Sequence, residues 1–301
     1  MSTPSTPQDL SRYGWLAVAA ALATIALKTS AWWVTGSVGL LSDAAESVVN
    51  LVAAIVALVA LKVAAKPADK NHNFGHSKAE YFSAAVEGVM IFVAAAVIIV
   101  FAIQRFLAPR DLTDVGMGLV ISLIAAAING AVALVLIRAG RRYRSITLRA
   151  DGRHLMTDLW TSVGVVLGVA LVGLTGWNWL DPLVAIAVGI NILWTGYGLI
   201  RESMDGLMDV SLPRQDNARI REILDAHRHE GIDFHAVRTR ESGAQQFMEM
   251  HMLVPGAWTV QQGHDAMEDL IEEINREFPD LRVTGHLEPI EDPRSYEDMH
   301  L

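Results

Sequence analysis

The sequence predicts an all-α transmembrane bundle of six helices followed by a small α+β domain. Three observations lead there. Hydrophobic residues make up 52% of the 301-residue chain and charged residues 19%, with a mean hydropathy of +0.31, against about 25% charged in an ordinary soluble domain. The charge deficit is confined to the first two thirds. There, six mainly apolar stretches reach the length of about 20 residues that a bilayer core demands of a helix.

These stretches run from about Tyr13 to Val34, Gly39 to Val63, Tyr81 to Phe106, Val115 to Ile137, His154 to Leu174 and Leu180 to Ile200. Thr35-Gly36-Ser37 and Thr175-Gly176-Trp177-Asn178 read as tight turns, and Pro109-Arg110-Asp111 separates the third stretch from the fourth. The first residues lack the basic start and cleavage site of a signal peptide, so the first stretch is expected to remain as an anchor. Lys62, Lys66, Lys70 and Lys78, then Arg138, Arg141, Arg142, Arg144, Arg149 and Arg153, fall on one side of the bundle, and the other side has little beyond Arg110. Cytoplasmic loops collect Lys and Arg. Both termini are therefore expected in the cytoplasm.

After Arg201 the composition turns polar and histidine-rich. Asn217 to Arg228 carries Ile220, Ile223 and Leu224 at helical spacing, and residues 247–253 alternate like a strand. Val260 to Phe278 reads as an amphipathic helix with Met267, Leu270, Ile271 and Ile274 on one face, and Arg282 to His286 as a short strand. The expected division is residues 1–208 for the six-span domain and 209–301 for a cytoplasmic regulatory and dimerisation domain.

The chain has no cysteine. Any metal must then be held by His, carboxylate or amide groups. The net charge of −9 argues against a nucleic-acid partner. Ionisable residues at bilayer depth are costly and point to function. The second stretch carries Asp43, Glu46 and Asn50, and the fifth carries Asp151, His154 and Asp158. Both sets have i, i+3, i+7 spacing, which leaves the outer two about 20° apart around a helix and the middle one within about 60° of each. Glu46/Asn50 and His154/Asp158 are i, i+4 pairs that stack on one face. Facing each other, these four side chains make a cage of nitrogen and oxygen donors suited to Zn²⁺, Fe²⁺, Co²⁺ or Mn²⁺. Asp43 and Asp151 sit a turn nearer the helix ends, where capping or span positioning explains them. Glu87 in the third stretch and Asp181 at the start of the sixth are further exceptions near an end.

A second cluster is the loop Asp69, His72 and His76, two histidines four apart with a carboxylate just before. Taken alone it reads as a solvated loop. His235, His251, His264 and His286 are scattered through the tail, with Glu288 two residues past the last.

Several segments together carry a resemblance: GSVGLLSDAAESVVN, KPADKNHNFGHSKAE, RADGRHLMTD, and the tail pieces FHAVRTRESG, MEMH, QGH and GHLEP. The chain resembles the cation diffusion facilitator family over essentially its whole length, in particular the bacterial homodimeric zinc/iron efflux members. The resemblance implies a homodimer in the bacterial inner membrane, with six spans per protomer and an αββαβ metallochaperone-like cytoplasmic domain. It implies no enzymatic reaction but export of a divalent metal in exchange for protons by alternating access. Zn²⁺ or Fe²⁺ is expected as substrate and regulator, with Mn²⁺, Co²⁺ and Cd²⁺ as further cargoes. By position it puts the transport site on Glu46, Asn50, His154 and Asp158, a loop site on Asp69, His72 and His76, and a cytoplasmic site on His235, His251, His264, His286 and Glu288. An interdomain salt bridge falls on Lys78 and Asp209. His154, Glu46 and Asp158 are expected to carry the coupled protons.

The chain departs from the family at the transport site. Those relatives have Asp-x-x-x-Asp in the second span, and many eukaryotic zinc carriers have His-x-x-x-Asp, where this chain has Glu46 and Asn50. Glu288 likewise stands where the bacterial relatives have Asp. Glu46 and Asp158 bring two negative charges that a divalent cation cancels, which makes a loaded site cheaper to hold in a low-dielectric bundle. The amide of Asn50 shifts the expectation modestly toward Fe²⁺, Mn²⁺ or Co²⁺, while the resemblance keeps Zn²⁺ first and Fe²⁺ next. Two other readings compete: an intramembrane metal-dependent hydrolase, and a membrane sensor that binds metal without moving it. The first lacks an HExxH sequence in any span. The second leaves a mid-membrane cage without a purpose.

Overall fold

The computed structural model describes residues 8–35, 38–107, 116–177, 179–229 and 231–297. It divides into two compact units, one ending at Met204 and the other starting at Asp205.

The first unit is helical: α1 (Ser11–Thr35), α2 (Val38–Ala64), α3 (Ala79–Leu107), α4 (Gly116–Arg142), α5 (Ile146–Thr175) and α6 (Leu180–Leu207). Among the described residues, Ser11–Ser30, Ala79–Gln104, Leu123–Arg142 and Pro182–Leu207 are long and apolar enough to cross a membrane. α2 adds the shorter apolar run Asn50–Ala64. Helices are what the bilayer demands, since each backbone N–H and C=O must find its partner within the segment. Without a hydrophobic force between helices in lipid, close packing through small residues holds them together. The core of this unit follows that rule: Ala17 and Val18 of α1, Ala54, Leu58 and Leu61 of α2, Ala133, Leu136 and Ala139 of α4, and Leu148 and Leu155 of α5 are buried together.

α4 and α5 form the most extensive pair, and glycines let them approach. A Cβ on Gly130 would meet Leu159 Cδ2 at 2.9 Å, and one on Gly152 would meet Ile137 Cγ1 at 2.7 Å and the Ala133 carbonyl at 3.1 Å.

α5 begins eight residues before the apolar stretch does, and α4 runs on to Arg142. Most of the arginines expected in a loop therefore stand on helix ends, where long side chains reach the interface. Only Tyr143–Ser145 connects the two helices, with Arg144 in the left-handed region at φ 53°. Ser145 caps α5, its Oγ accepting from Leu148 N at 3.3 Å. The Ser145 hydroxyl also donates to Glu80, and Thr147 Oγ1 donates to the Glu80 carbonyl at 3.1 Å, which ties the start of α3 to the start of α5.

The second unit is α7 (Arg214–Ala226), β1 (Asp233–Ser242), β2 (Gln245–Val254), α8 (Val260–Glu277) and β3 (Leu281–Pro289), then a short 3₁₀ turn at Pro293–Tyr296. The sheet order is β1-β2-β3, with β1 antiparallel and β3 parallel to the central β2. Parallel pairing needs a crossover, and α8 supplies it. Thr259 caps α8 in a reciprocal box with Gln262. Met248, Met250 and Met252 alternate onto one face of the sheet. There they pack against Ile220, Ile223 and Leu224 of α7 and Met267, Leu270 and Ile274 of α8.

Candidate metal centres

Near the middle of α2, Asn50 meets α5. Its Nδ2 donates to Asp158 Oδ2 at 2.5 Å, and its Oδ1 lies 2.9 Å from His154 Nε2. A carboxylate can only accept, so the amide nitrogen must face Asp158 and the amide oxygen must face His154. With Asp158 ionised, this orientation has His154 Nε2 donate to the amide oxygen. The three side chains thus form one hydrogen-bonded chain, in surroundings where Asn50 is 5% and His154 7% exposed. Helical spacing carries His154 and Asp158 one turn apart on α5, so a single amide bridges both. The side chains of Asp43 and Glu46, on α2, lie outside the described residues.

A fourth residue joins from α4. Asn129 Nδ2 donates to the same Asp158 Oδ2 at 3.3 Å. Asn129 is 3% exposed, and its Oδ1 is buried without a hydrogen-bond partner among the described residues. An amide left half satisfied at this depth costs roughly 1–3 kcal/mol. The sequence reading missed Asn129, although a lone amide within Ala-Ala-Ala-Ile-Asn-Gly was a usable signal, because polar side chains in a span seldom face lipid.

Three further carboxyls are buried among the described residues of the helical unit: Glu80, already tied to Ser145, and two others. Glu87 of α3 is 0% and Asp151 of α5 1% exposed. Ser83 Oγ donates to Glu87 Oε1 at 3.3 Å. Glu87 Oε2 and Asp151 Oδ2 have no hydrogen-bond partner among the described residues.

The α2–α3 loop gathers Asp69, His72 and His76. Asp69 Oδ1 accepts from the N–H groups of Asn71 and His72, both at 2.8 Å, and lies 3.2 Å from His72 Nδ1. His76 Nε2 is 3.4 Å from Asp69 Oδ2. Gly75, at φ 87°, makes the reversal that returns His76 to Asp69. One ligand atom from each residue falls within 4.8 Å of the others. The N–H groups of Asn71 and then His72 hold the Asp69 carboxyl below its ordinary value.

The third grouping is a row across the sheet. His235, His251 and His286 share one register through β1, β2 and β3. They stand on the face opposite the methionines and helices. Glu288, two residues on along β3, reaches back into the row. Its Oε2 is 2.8 Å from His235 Nε2 and 3.3 Å from His251 Nδ1, and its Oε1 is 3.7 Å from His286 Nδ1. His235, His251 and Glu288 have ligand atoms within 4.8 Å of one another. A bulge between His235 and Arg238, with Ala236 at φ 50°, re-aims this part of β1. No signal in the sequence marked it. His264 is exposed on α8 and is not part of this grouping. Asp209, at φ 60°, accepts from Arg240 Nη1 at 3.2 Å within the second unit.

Comparison with known proteins bears directly on these arrangements. Residues 14–208 match the family described as the cation efflux transmembrane domain, and residues 212–290 match the cation efflux protein cytoplasmic domain. The chain belongs to the cation efflux family. An uncharacterized transporter of Synechocystis sp. is 54% identical over 95% of this chain and 92% of its own length. The cation-efflux pump FieF of Escherichia coli is 30% identical over 93% of both chains. A solved structure of CzrB in a Zn form is 31% identical over 27% of this chain and 93% of its own, with a TM-score of 0.26, too low to compare folds.

The cation efflux assignment makes the chain a multi-pass membrane protein and a divalent metal cation efflux transporter of the FieF type, not an enzyme. It also gives the two units their meaning. The helical unit coincides with the transmembrane domain, and the αββαβ unit with the cytoplasmic domain.

Proposed function

We propose that this efflux protein is a metal/proton antiporter that exports Zn²⁺ or Fe²⁺, with Mn²⁺, Co²⁺ and Cd²⁺ as further cargoes. It works as a homodimer in the bacterial inner membrane with both termini cytoplasmic. The observation that best supports this reading is the closed hydrogen-bond chain from His154 through Asn50 to Asp158 near mid-helix on α2 and α5. Glu46 completes the transport site.

The proton and the metal compete for the same atoms. In this reading His154 Nε2 donates its proton to the Asn50 amide oxygen when no metal is bound. A cation needs that lone pair, so the proton must leave or move to Nδ1 as metal enters. Reprotonation of His154 and of one carboxylate then expels the metal. Imidazole suits this task because its reference pKa of about 6.5 lies near working pH. In alternating access α2 and α5 move as a pair against the other helices.

The loop residues Asp69, His72 and His76 form an accessory site on the cytoplasmic face. The row His235, His251, His286 and Glu288 binds cytoplasmic metal and couples its level to the dimer.

Purified protein in vesicles that enclose a pH-sensitive dye tests the coupling. Inward Zn²⁺ or Fe²⁺ flux should drive outward proton movement of one or two protons per metal. Metal flux without proton movement rejects antiport, and proton-independent binding without flux favours a sensor.

A further inference from the structure

We propose that Asn129 of α4 is a fifth residue of the transport site and sets its choice of cation. When a metal enters, the Asn129 amide turns about its Cβ–Cγ bond and gives Oδ1 to the ion. The inference rests on reading Asn50, His154 and Asp158 as the transport site.

Three observations carry it. First, α4 is held against α5 at this level: Gly130, the next residue, lies against Leu159, the residue after Asp158. Second, Asn129 and Asn50 both donate to the same oxygen, Asp158 Oδ2, at 3.3 and 2.5 Å. A cation bound to that oxygen displaces both N–H groups, because a divalent charge is a stronger partner for a carboxylate than a neutral amide. Third, the Asn129 Oδ1 is buried without a partner among the described residues. The two ends of a primary amide are only about 2.2 Å apart by standard bond lengths. Half a turn of the side chain therefore exchanges donor for acceptor with no backbone movement.

The chemistry follows from the donor count. Asn50 and Asn129 supply two neutral amide oxygens beside Asp158 and the His154 imidazole. Four-coordinate Zn²⁺ has no use for a fifth donor. Mn²⁺ and Fe²⁺ prefer more oxygen donors and a higher coordination number. The second amide thus biases the cage toward six-coordinate cations. The competing explanation is that Asn129 only fastens α4 to α5 through its N–H, as amides commonly do between membrane helices.

Replacing Asn129 by Leu removes both ends of the amide, and replacing it by Asp keeps an oxygen while removing the N–H. The test uses full-length protein in detergent, carrying His76→Ala and Glu288→Ala to silence the other clusters. Mn²⁺ binding is read by electron paramagnetic resonance of the free ion, and Zn²⁺ binding by competition with a chelating dye. Asn129→Leu should weaken Mn²⁺ at least tenfold and Zn²⁺ less than threefold, and Asn129→Asp should restore Mn²⁺ affinity to the parent level or above. Equal loss of both metals in Asn129→Leu, or an Asp variant as weak for Mn²⁺ as the Leu variant, overturns the proposal. Gel filtration and the thermal midpoint show whether each variant folds, and Asn129→Ser replaces Leu if that one does not. Asp158→Ala is the control for the underlying reading. If it leaves both affinities intact, the transport site itself is misplaced. If it abolishes them while Asn129→Leu has no effect, only the role of Asn129 fails.

Discussion

In the proposed transport site, Asn50 is the residue that tunes the grip on cargo. Its amide is neutral and spends both ends, one on His154 and one on Asp158. Asn50→Asp puts a second carboxylate beside Asp158, which raises the cost of the empty site and the attraction for a cation together. Zn²⁺ should bind at least tenfold more tightly, or about 1.4 kcal/mol. Competition with a zinc indicator checks it, and unchanged affinity would show that Asn50 is not a ligand. Asp69 makes a second prediction at this scale. Its folded pKa lies below the ordinary value, so whatever the ionised group contributes is complete above about pH 4 and fades only as pH falls through the depressed value. Between pH 5 and 8 it stays charged. Asp69→Asn should therefore weaken loop-site metal binding by a similar factor across that window. A titration whose midpoint moves instead would mean that Asp69 itself takes up the proton.

Elements bring these residues together. α4 and α5 meet through Gly152 and Gly130, and nothing larger fits without displacing a neighbour. At Gly152 the neighbours include the Ala133 carbonyl and the Ile137 backbone nitrogen, which cannot swing aside as a side-chain tip would. Gly152→Ala should therefore destabilise the bundle by about 1–3 kcal/mol and lower transport by pushing α4 off α5. Thermal unfolding in detergent and vesicle flux measure the two effects. A variant with parent stability and flux would show that the helices adjust freely. In the sheet, the three histidines need both ladders in register and the bulge at Ala236, so their alignment is a property of three strands rather than of any one.

At the scale of the whole molecule, the proposed control of export by cytoplasmic metal rests on the sheet. Glu288 lies within reach of His235, His251 and His286. Removing its charge should loosen metal binding on the sheet and leave the membrane site untouched. Flux by Glu288→Gln should accordingly need several-fold higher cytoplasmic metal for half-maximal rate, with the same maximum. An unchanged metal dependence would separate the cytoplasmic domain from control of transport.

The sequence by itself determined the class of molecule. Runs of about 20 apolar residues admit few structures other than membrane helices, since the bilayer leaves backbone groups no other partners. The i, i+4 spacing of His154 and Asp158 likewise fixes their common face on any helix, because that relation is local. The alternation of Met248, Met250 and Met252 in β2 is local too. The start of α5 was not legible, because Ser145 and its ties to Glu80 extend the helix through polar residues that hydropathy assigns to a loop. Only the tertiary structure decided that Asn129, 29 residues from Asp158 in sequence, shares its carboxylate with Asn50. It also decided that a row of histidines on three strands converges on Glu288. Both arrangements depend on which elements pack together and in what register. Spacing along one helix or one strand carries no record of that.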